Sequence, residues 1–207
     1  MVMKVKQEAA APETVVKGIR FQGNVEGHYH PNGGGFVANT AKVAETAFVG
    51  KDAMVFGNAE VAGNARIEGT ANVYDTARVF GNAKVYGNAH VSGNAMVYDS
   101  AQVYDDAVVN GNAQIYSQAR VYGHATVYDD ALVCEKASVY GEADVFGHAG
   151  IVGTAEVFGK ARISGTAQVS EGYYFSHSIA SLLQAKTYEK TMYELAEELE
   201  KMNKNGK

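Results

Sequence analysis

Aliphatic residues recur at every sixth position over about two-thirds of this chain. From Val37 to Val169, all 23 such positions hold Val or Ile. Four residues after each of the first 22, from Ala41 to Ala167, the residue is Ala, and no insertion breaks the register. Gly, Asn or acidic residues fill many of the positions between. The chain is therefore a tandem array of one six-residue unit.

A six-residue period excludes an amphipathic helix, because successive aliphatic side chains would point ~240° apart around its axis. Val and Gly are also poor helix formers. A sheet built from hairpins needs longer strands between its turns. Short β-branched strands separated by Gly or Asn corners, where a positive φ is tolerated, instead predict a coiled parallel β-solenoid. Each six-residue unit then forms one side of a coil.

The segment VYGNAHVSGNAMV, residues 85–97, closely resembles the hexapeptide-repeat proteins. Tyr or Phe often follows the aliphatic residue, which is more similar to the VYGNA-repeat proteins of bacteria and phages than to the hexapeptide-repeat acyltransferases. The resemblance covers residues 37 to about 169 and implies a left-handed parallel β-helix with three units per triangular coil. On that basis the repeat makes seven to eight coils of 18 residues.

Three regions follow from where the period begins and ends. We expect a flexible N-terminus and N-terminal cap over residues 1–36, the left-handed β-helix over 37–172, and a C-terminal α-helix over 173–207. In the tail, Ile179, Leu182 and Leu183 give an apolar patch that suits closing the last coil. A heptad seam of about two heptads follows, formed by Tyr188, Met192, Leu195, Leu199 and Met202. This seam and the resemblance predict a homotrimer, and the alternative is a helix folded against its own prism.

Residues 18 apart lie directly above one another in such a solenoid, so surface residues form ladders. One ladder is aromatic over five consecutive coils: Tyr86, Tyr104, Tyr122, Tyr140 and Phe158. Because each of these follows an inward aliphatic residue, its side chain is expected to point outward. An exposed aromatic ladder predicts a binding platform for a protein or a glycan. The alternative is that the stacked rings only stabilise neighbouring coils.

Acidic residues are concentrated beside this ladder. Residues 99–144 carry a net charge of −6, in a chain whose net charge is −5. Such a surface repels phosphate backbones and argues against nucleic-acid binding. We expect the partner to be cationic or neutral and to contact corner carboxylates that include Asp105, Asp106, Asp129 and Asp130.

Histidines are the candidate catalytic or metal-ligating residues. His124 lies one coil from both Asp106 and Glu142, and His148 lies one coil from Asp130. A carboxylate beside an imidazole can form a general base. Zinc sites of the catalytic kind take two or three His ligands, and each of these ladders offers one.

The segment GHYHPNGGG, residues 27–35, places His28 and His30 two residues apart, which on a strand would put them on one side. They are candidates for a shared metal, although no third ligand is evident. The alternative is that this segment caps the first coil. We therefore expect no cofactor.

Two functions follow. The favoured one is a non-enzymatic structural or binding module that presents aromatic and acidic ladders to a protein or polymer partner, in a context that the resemblance allows to be phage-related. The alternative, implied by the resemblance, is an acyltransferase with a CoA-type donor and His124 or His148 as the catalytic base. A single cysteine, a start without a secretory signal, and no apolar run near ~20 residues predict a cytoplasmic protein without a membrane span.

Overall fold

A computed structural model describes residues 13–16, 19–22, 25–175 and 178–180. Regular structure in these ranges is entirely β-strand, in 28 strands numbered here along the chain. The first two, β1 (Glu13–Val16) and β2 (Ile19–Gln22), pair as an antiparallel hairpin. The other 26 strands form three sheets, which are the three faces of one solenoid.

Sheet I has ten strands. Its first pair is antiparallel, and the others are parallel. In order they are β3 (Gly27–Tyr29), β4 (Phe36–Ala38), β7 (Met54–Val55), β10 (Asn72–Val73), β13 (His90–Val91), β16 (Val108–Val109), β19 (Thr126–Val127), β22 (Asp144–Val145), β25 (Arg162–Ile163) and β28 (Ser178–Ile179).

Sheets II and III have eight parallel strands each. Sheet II contains β5 (Lys42–Val43), β8 (Glu60–Val61), β11 (Arg78–Val79), β14 (Met96–Val97), β17 (Gln114–Ile115), β20 (Leu132–Val133), β23 (Gly150–Ile151) and β26 (Gln168–Val169). Sheet III contains β6 (Phe48–Val49), β9 (Arg66–Ile67), β12 (Lys84–Val85), β15 (Gln102–Val103), β18 (Arg120–Val121), β21 (Ser138–Val139), β24 (Glu156–Phe158) and β27 (Tyr173–Phe175). A parallel β-solenoid of about eight coils is confirmed, and its left hand stays a prediction from the resemblance.

Hydrogen bonds between coils hold this register. In each strand from β4 to β23 the residue before the aliphatic position donates its N–H to an alanine carbonyl of the next coil, as Gln102 does to Ala119 at 3.0 Å. The residue after the aliphatic position donates to the next aliphatic carbonyl, as Tyr104 does to Val121 at 3.0 Å. Each coil is thereby paired with the coil 18 residues further along the chain.

The repeated Val, Ile and Ala side chains fill the interior as the period predicts. From residue 47 to residue 169 their exposed fractions do not exceed 1%. Ala41 and Val43, in the first coil, are the two that remain partly exposed. The interior is thus one continuous column of small aliphatic side chains, in which packing density is sensitive to single methyl groups.

The N-terminal segment caps two of the three sheets. Strand β3 covers the first edge of sheet I. Over sheet III, Gly35 N–H donates to the Val49 carbonyl at 2.8 Å, and Val49 N–H donates to the Asn32 carbonyl at 3.0 Å. A Cβ at Gly33 or Gly35 would collide with the Val49 backbone, so this close approach requires glycine.

The first edge of sheet II differs from the other two. Among the described residues no strand pairs with the outer side of β5. A cavity of about 440 Å³ opens there, lined in part by His28, Val37 and Val43. The partial exposure of Val43 follows from this gap.

At the C-terminal end the solenoid extends past residue 172. Val157 pairs with Tyr174, and Ile163 pairs with Ile179. Tyr174 is fully buried and Ile179 is 4% exposed, so both occupy inward positions. Ile179 therefore belongs to a strand of the last coil and not to a helix. The predicted helical seam lies outside the described residues.

Shortening one core side chain in the middle of the column should destabilise the whole solenoid. Val103 is fully buried, so Val103→Ala should lower the free energy of unfolding by ~1–3 kcal/mol through lost burial and a residual cavity. Urea denaturation followed by circular dichroism measures it. Val108→Ala, on a partly exposed side chain of the neighbouring face, is the matched control and should lose less. Equal stability of Val103→Ala and wild type would contradict the inward register.

Candidate binding surface

The predicted aromatic ladder is a continuous stack of rings along sheet III. Successive ring centroids from Tyr86 to Phe158 are 4.7–5.1 Å apart, with interplanar angles of 1–6°. Phe175 adds a sixth ring at 5.3 Å, tilted by 36°. The 18-residue spacing did not predict this ring, because Phe175 lies 17 residues after Phe158. All five predicted rings are brought together.

The hydroxyl groups of two tyrosines contact side chains on the next strand of the same sheet. Tyr86 donates its hydroxyl hydrogen to Gln102 Oε1 at 3.2 Å, and Tyr140 donates to Glu156 Oε2 at 2.9 Å. Burial and the bond to Glu156 raise the pKa of Tyr140 to about 12. Burial also raises the pKa of Tyr104 and Tyr122. The ladder is therefore partly buried, and its hydroxyls are neutral donors at physiological pH.

Stacking determines which part of each ring faces a partner. A ring sandwiched between neighbours at 4.8 Å has both π-faces covered, so its edge and hydroxyl are left at the surface. A sugar or planar ligand that stacks needs an open ring face. The platform offers a row of edges instead, which differs from the open surface expected for a glycan.

The four predicted acids lie on two different corners. Asp105 and Asp106 follow sheet III and lie beside the ladder, whereas Asp129 and Asp130 lie between sheets I and II, away from it, so the expectation that they lie beside the ladder is wrong for this second pair. All four have partners within the solenoid. Asp105 and Asp129 have positive φ, and their carboxylates accept the amide N–H of Gly123 and Gly147, each at 3.2 Å. Their neighbours take side-chain donors at 2.9 Å: Asp106 from Asn88, and Asp130 from Asn112. All four acids are exposed, so their carboxylates lie at the surface although they also accept hydrogen bonds at the corners.

Both predicted histidine–carboxylate pairs form. His124 Nδ1 is 3.7 Å from Asp106 Oδ2, and His148 Nδ1 is 3.6 Å from Asp130 Oδ2. Their side chains are 71% and 73% exposed, on two different corners. Glu142, expected beside His124, pairs instead with Lys160 at 3.6 Å. Exposed pairs of this kind contribute little to stability.

His28 and His30 do not face one side of a strand. His28 is exposed, whereas His30 is 4% exposed and lies beyond the end of β3. Nδ1 of His28 is 3.5 Å from Asn39 Oδ1, and Nδ1 of His30 is 3.2 Å from the Asn32 carbonyl. Among the described residues no group of three His, Cys, Asp or Glu side chains is arranged to hold a metal ion.

Cys134 is buried beneath the surface of sheet II. Burial raises the pKa of its thiol, while a hydrogen bond with Tyr116 opposes that shift. A thiol with a raised pKa stays protonated at neutral pH and is a poor nucleophile.

Two successive segments, residues 101–117 and 119–135, match the YdcK beta-solenoid repeat. They begin 18 residues apart, so each matched unit is one coil. No curated protein and no solved structure matches the chain. Fold and match together define a repeat β-solenoid protein, similar over these two coils to the YdcK repeat. No helix in the described part of the chain is long and apolar enough to cross a membrane.

The carboxylate of Asp105 should stabilise the corner through its hydrogen bond to Gly123 rather than through its charge. Asp105→Ala removes that acceptor. It also leaves at a φ of 56° a residue whose side chain cannot form the hydrogen bond that makes this conformation tolerable, so the free energy of unfolding should fall by ~1–2 kcal/mol. Asp105→Gly loses only the bond and should cost less. Asp105→Asn keeps an acceptor and a tolerance of positive φ, so it should lie nearest wild type. Thermal denaturation ranks the three, and an Asn variant as unstable as the Ala variant would contradict this role.

Proposed function

We propose that this chain is a non-enzymatic structural or binding module whose contact surface is the aromatic ladder of sheet III with the acidic corner of Asp105 and Asp106 beside it. The unbroken stack from Tyr86 to Phe175 is the observation that supports it. It presents chemically similar groups at a spacing of about 4.8 Å, and repeated identical groups suit avid binding to an extended partner.

A protein is the partner class that fits this surface best. Ring edges can pack against side chains, and the hydroxyl oxygens can accept backbone N–H donors, whereas a glycan would need an open ring face. The exposed carboxylates at the corners favour a cationic or neutral partner, with an association that weakens as salt rises. The net charge of −6 over residues 99–144 supports the exclusion of nucleic acid.

We also propose a family, a cellular context and an assembly for this chain. The 22 uninterrupted six-residue units support membership of the hexapeptide-repeat superfamily, with a left-handed coil and a likeness to the VYGNA-repeat proteins of bacteria and phages. A phage-related context and a homotrimeric assembly go with that membership, and the single cysteine supports a cytoplasmic location. Partly exposed Met96, Val108 and Leu132 support the assembly, because they leave apolar contacts on two faces.

Acyl transfer is the second candidate function. The contact of each imidazole Nδ1 with an aspartate supports it, because a carboxylate at one ring nitrogen orients the other as a general base. Both histidines stand on exposed corners, so a substrate site would have to be completed by a neighbouring prism. This candidate predicts CoA-dependent turnover that His124→Ala or His148→Ala abolishes.

Tyr122, in the middle of the ladder, is the residue that tests the binding function. A second, shorter ladder on sheet II stacks Phe80, Tyr98 and Tyr116 at 4.9 Å. A photoreactive phenylalanine analogue at position 122 should cross-link a partner that the same analogue at position 80, on this sheet II ladder, does not. With that partner purified, Tyr122→Ala should weaken binding at least about tenfold, as loss of a central aromatic anchor does. Tyr122→Phe keeps the stacked ring and should retain stability while losing the contacts of the hydroxyl.

Three controls distinguish partner binding from self-association and from an effect on stability. Phe80→Ala removes a ring from the neighbouring ladder and should leave binding unchanged. Light scattering identifies self-association, since a trimer of 22.0 kDa chains has about three times the monomer mass. If Tyr122→Ala lowers only the thermal midpoint and leaves binding intact, the ladder serves coil stacking and the proposed function is wrong.

A further inference from the structure

A shallow groove of about 320 Å³ runs along the junction of sheet III with the preceding corner. Its lining consists of Ser100, Gln102, Gln118, Arg120 and Lys136. Ser100, Gln118 and Lys136 lie one above another on the corner, because they are 18 residues apart. Gln102 and Arg120 pair in register on the adjoining strands. The five side chains thus form two columns across three coils.

Arg120 differs from the other arginines whose side chains the structure describes. Arg66, Arg78 and Arg162 each form an ion pair with a carboxylate, at N–O distances of 2.5–3.6 Å. Neither Arg120 nor Lys136 has a carboxylate within ion-pair distance in the described part of the chain, and both are exposed. They are also the only two cationic residues between positions 99 and 144.

The other lining groups add hydrogen-bond donors. Oε1 of Gln102 accepts the Tyr86 hydroxyl at 3.2 Å, so its Nε2 amide is the group left to donate. Gln118 supplies a second amide, and Ser100 supplies a hydroxyl. The groove lining contains no carboxylate. A donor-rich lining with two cations matches the requirements of an oxyanion.

Charge near the groove is mixed. Burial raises the pKa of Tyr122, and the Arg120 charge offsets part of that rise, so the guanidinium acts on the ladder beside it. Asp99 and Glu135 stand on the same corner, but the Asp99 carboxylate already accepts the Ser117 amide N–H at 3.2 Å. These acids weaken long-range attraction of anions, and the contacts inside the groove remain cationic.

We propose that this groove is a binding site for a tetrahedral dianion of the phosphoryl class. The Arg120 guanidinium provides a planar fork for two oxygens, and Lys136 provides the second positive charge. The amides of Gln102 and Gln118 bind the remaining oxygens. The site adjoins the ladder, because Gln102 accepts the Tyr86 hydroxyl, but it uses none of the ladder rings, so it goes beyond the proposed function and does not depend on it.

Inorganic phosphate tests the site directly in the full-length protein. At slightly alkaline pH and constant ionic strength, phosphate should shift the side-chain amide signals of Gln102 and Gln118 in ¹⁵N-labelled protein. The double variant Arg120→Gln, Lys136→Gln should weaken this binding at least about tenfold, because each removes a charge-assisted hydrogen bond. Both residues are exposed, so the fold should be retained, and circular dichroism confirms it.

The matched control is the double variant Arg162→Gln, Lys160→Gln. Those residues occupy the same positions of the six-residue unit, but each is paired with an acid. This control should bind phosphate as wild type does. Acetate, a planar monoanion, should shift the two amides far less. The proposal is overturned if phosphate at tens of millimolar leaves the amides unshifted, if the control loses binding equally, or if acetate matches phosphate.

Discussion

The hydrogen bond from each coil to the next is the constraint on which the rest of this structure depends. Each strand from β4 to β23 donates N–H groups to the next coil, as Gln102 does to the Ala119 carbonyl. Within the regular coils, from Val37 to Val169, this pairing does not accommodate an inserted residue without moving the side chains that follow it out of register with the neighbouring coils. It also fixes the column of Val, Ile and Ala, since each inward side chain lies against the one above it.

The same constraint creates the surface. Once neighbouring coils are in register, any residue repeated at 18-residue intervals becomes a row, whatever its chemistry. Tyrosine repeated in this way gives a stack of rings whose faces are covered and whose edges are exposed. At four corners with positive φ, an aspartate takes the place of glycine and accepts an N–H from the following coil: Asp75, Asp99, Asp105 and Asp129. Groups that stabilise the coil and groups available to a partner are therefore largely the same side chains.

Much of this architecture could be predicted from the sequence, because the period alone assigns each residue to a face. The five stacked rings and the His–Asp contacts at both corners were predicted in this way. The last coil was missed, because its sides shorten to five residues from Val169 to Tyr174 and from Tyr174 to Ile179, which hides Phe175 as a sixth ring. The six-residue period also does not predict which partners the outward side chains contact. It does not show that Asp105 bonds to a backbone amide, or that Arg120 and Lys136 lack acidic partners.

Deletion of a whole coil tests the register most directly. Removing residues 104–121 joins Val103 to Tyr122 and leaves every later residue in the same register with its new neighbours. This shorter protein should keep its β-sheet circular dichroism and unfold in a single cooperative transition. A deletion one residue shorter, 104–120, should abolish that transition, because all later aliphatic side chains lose their inward positions. Equal behaviour of the two deletions would contradict a structure held by the stacking of 18-residue coils.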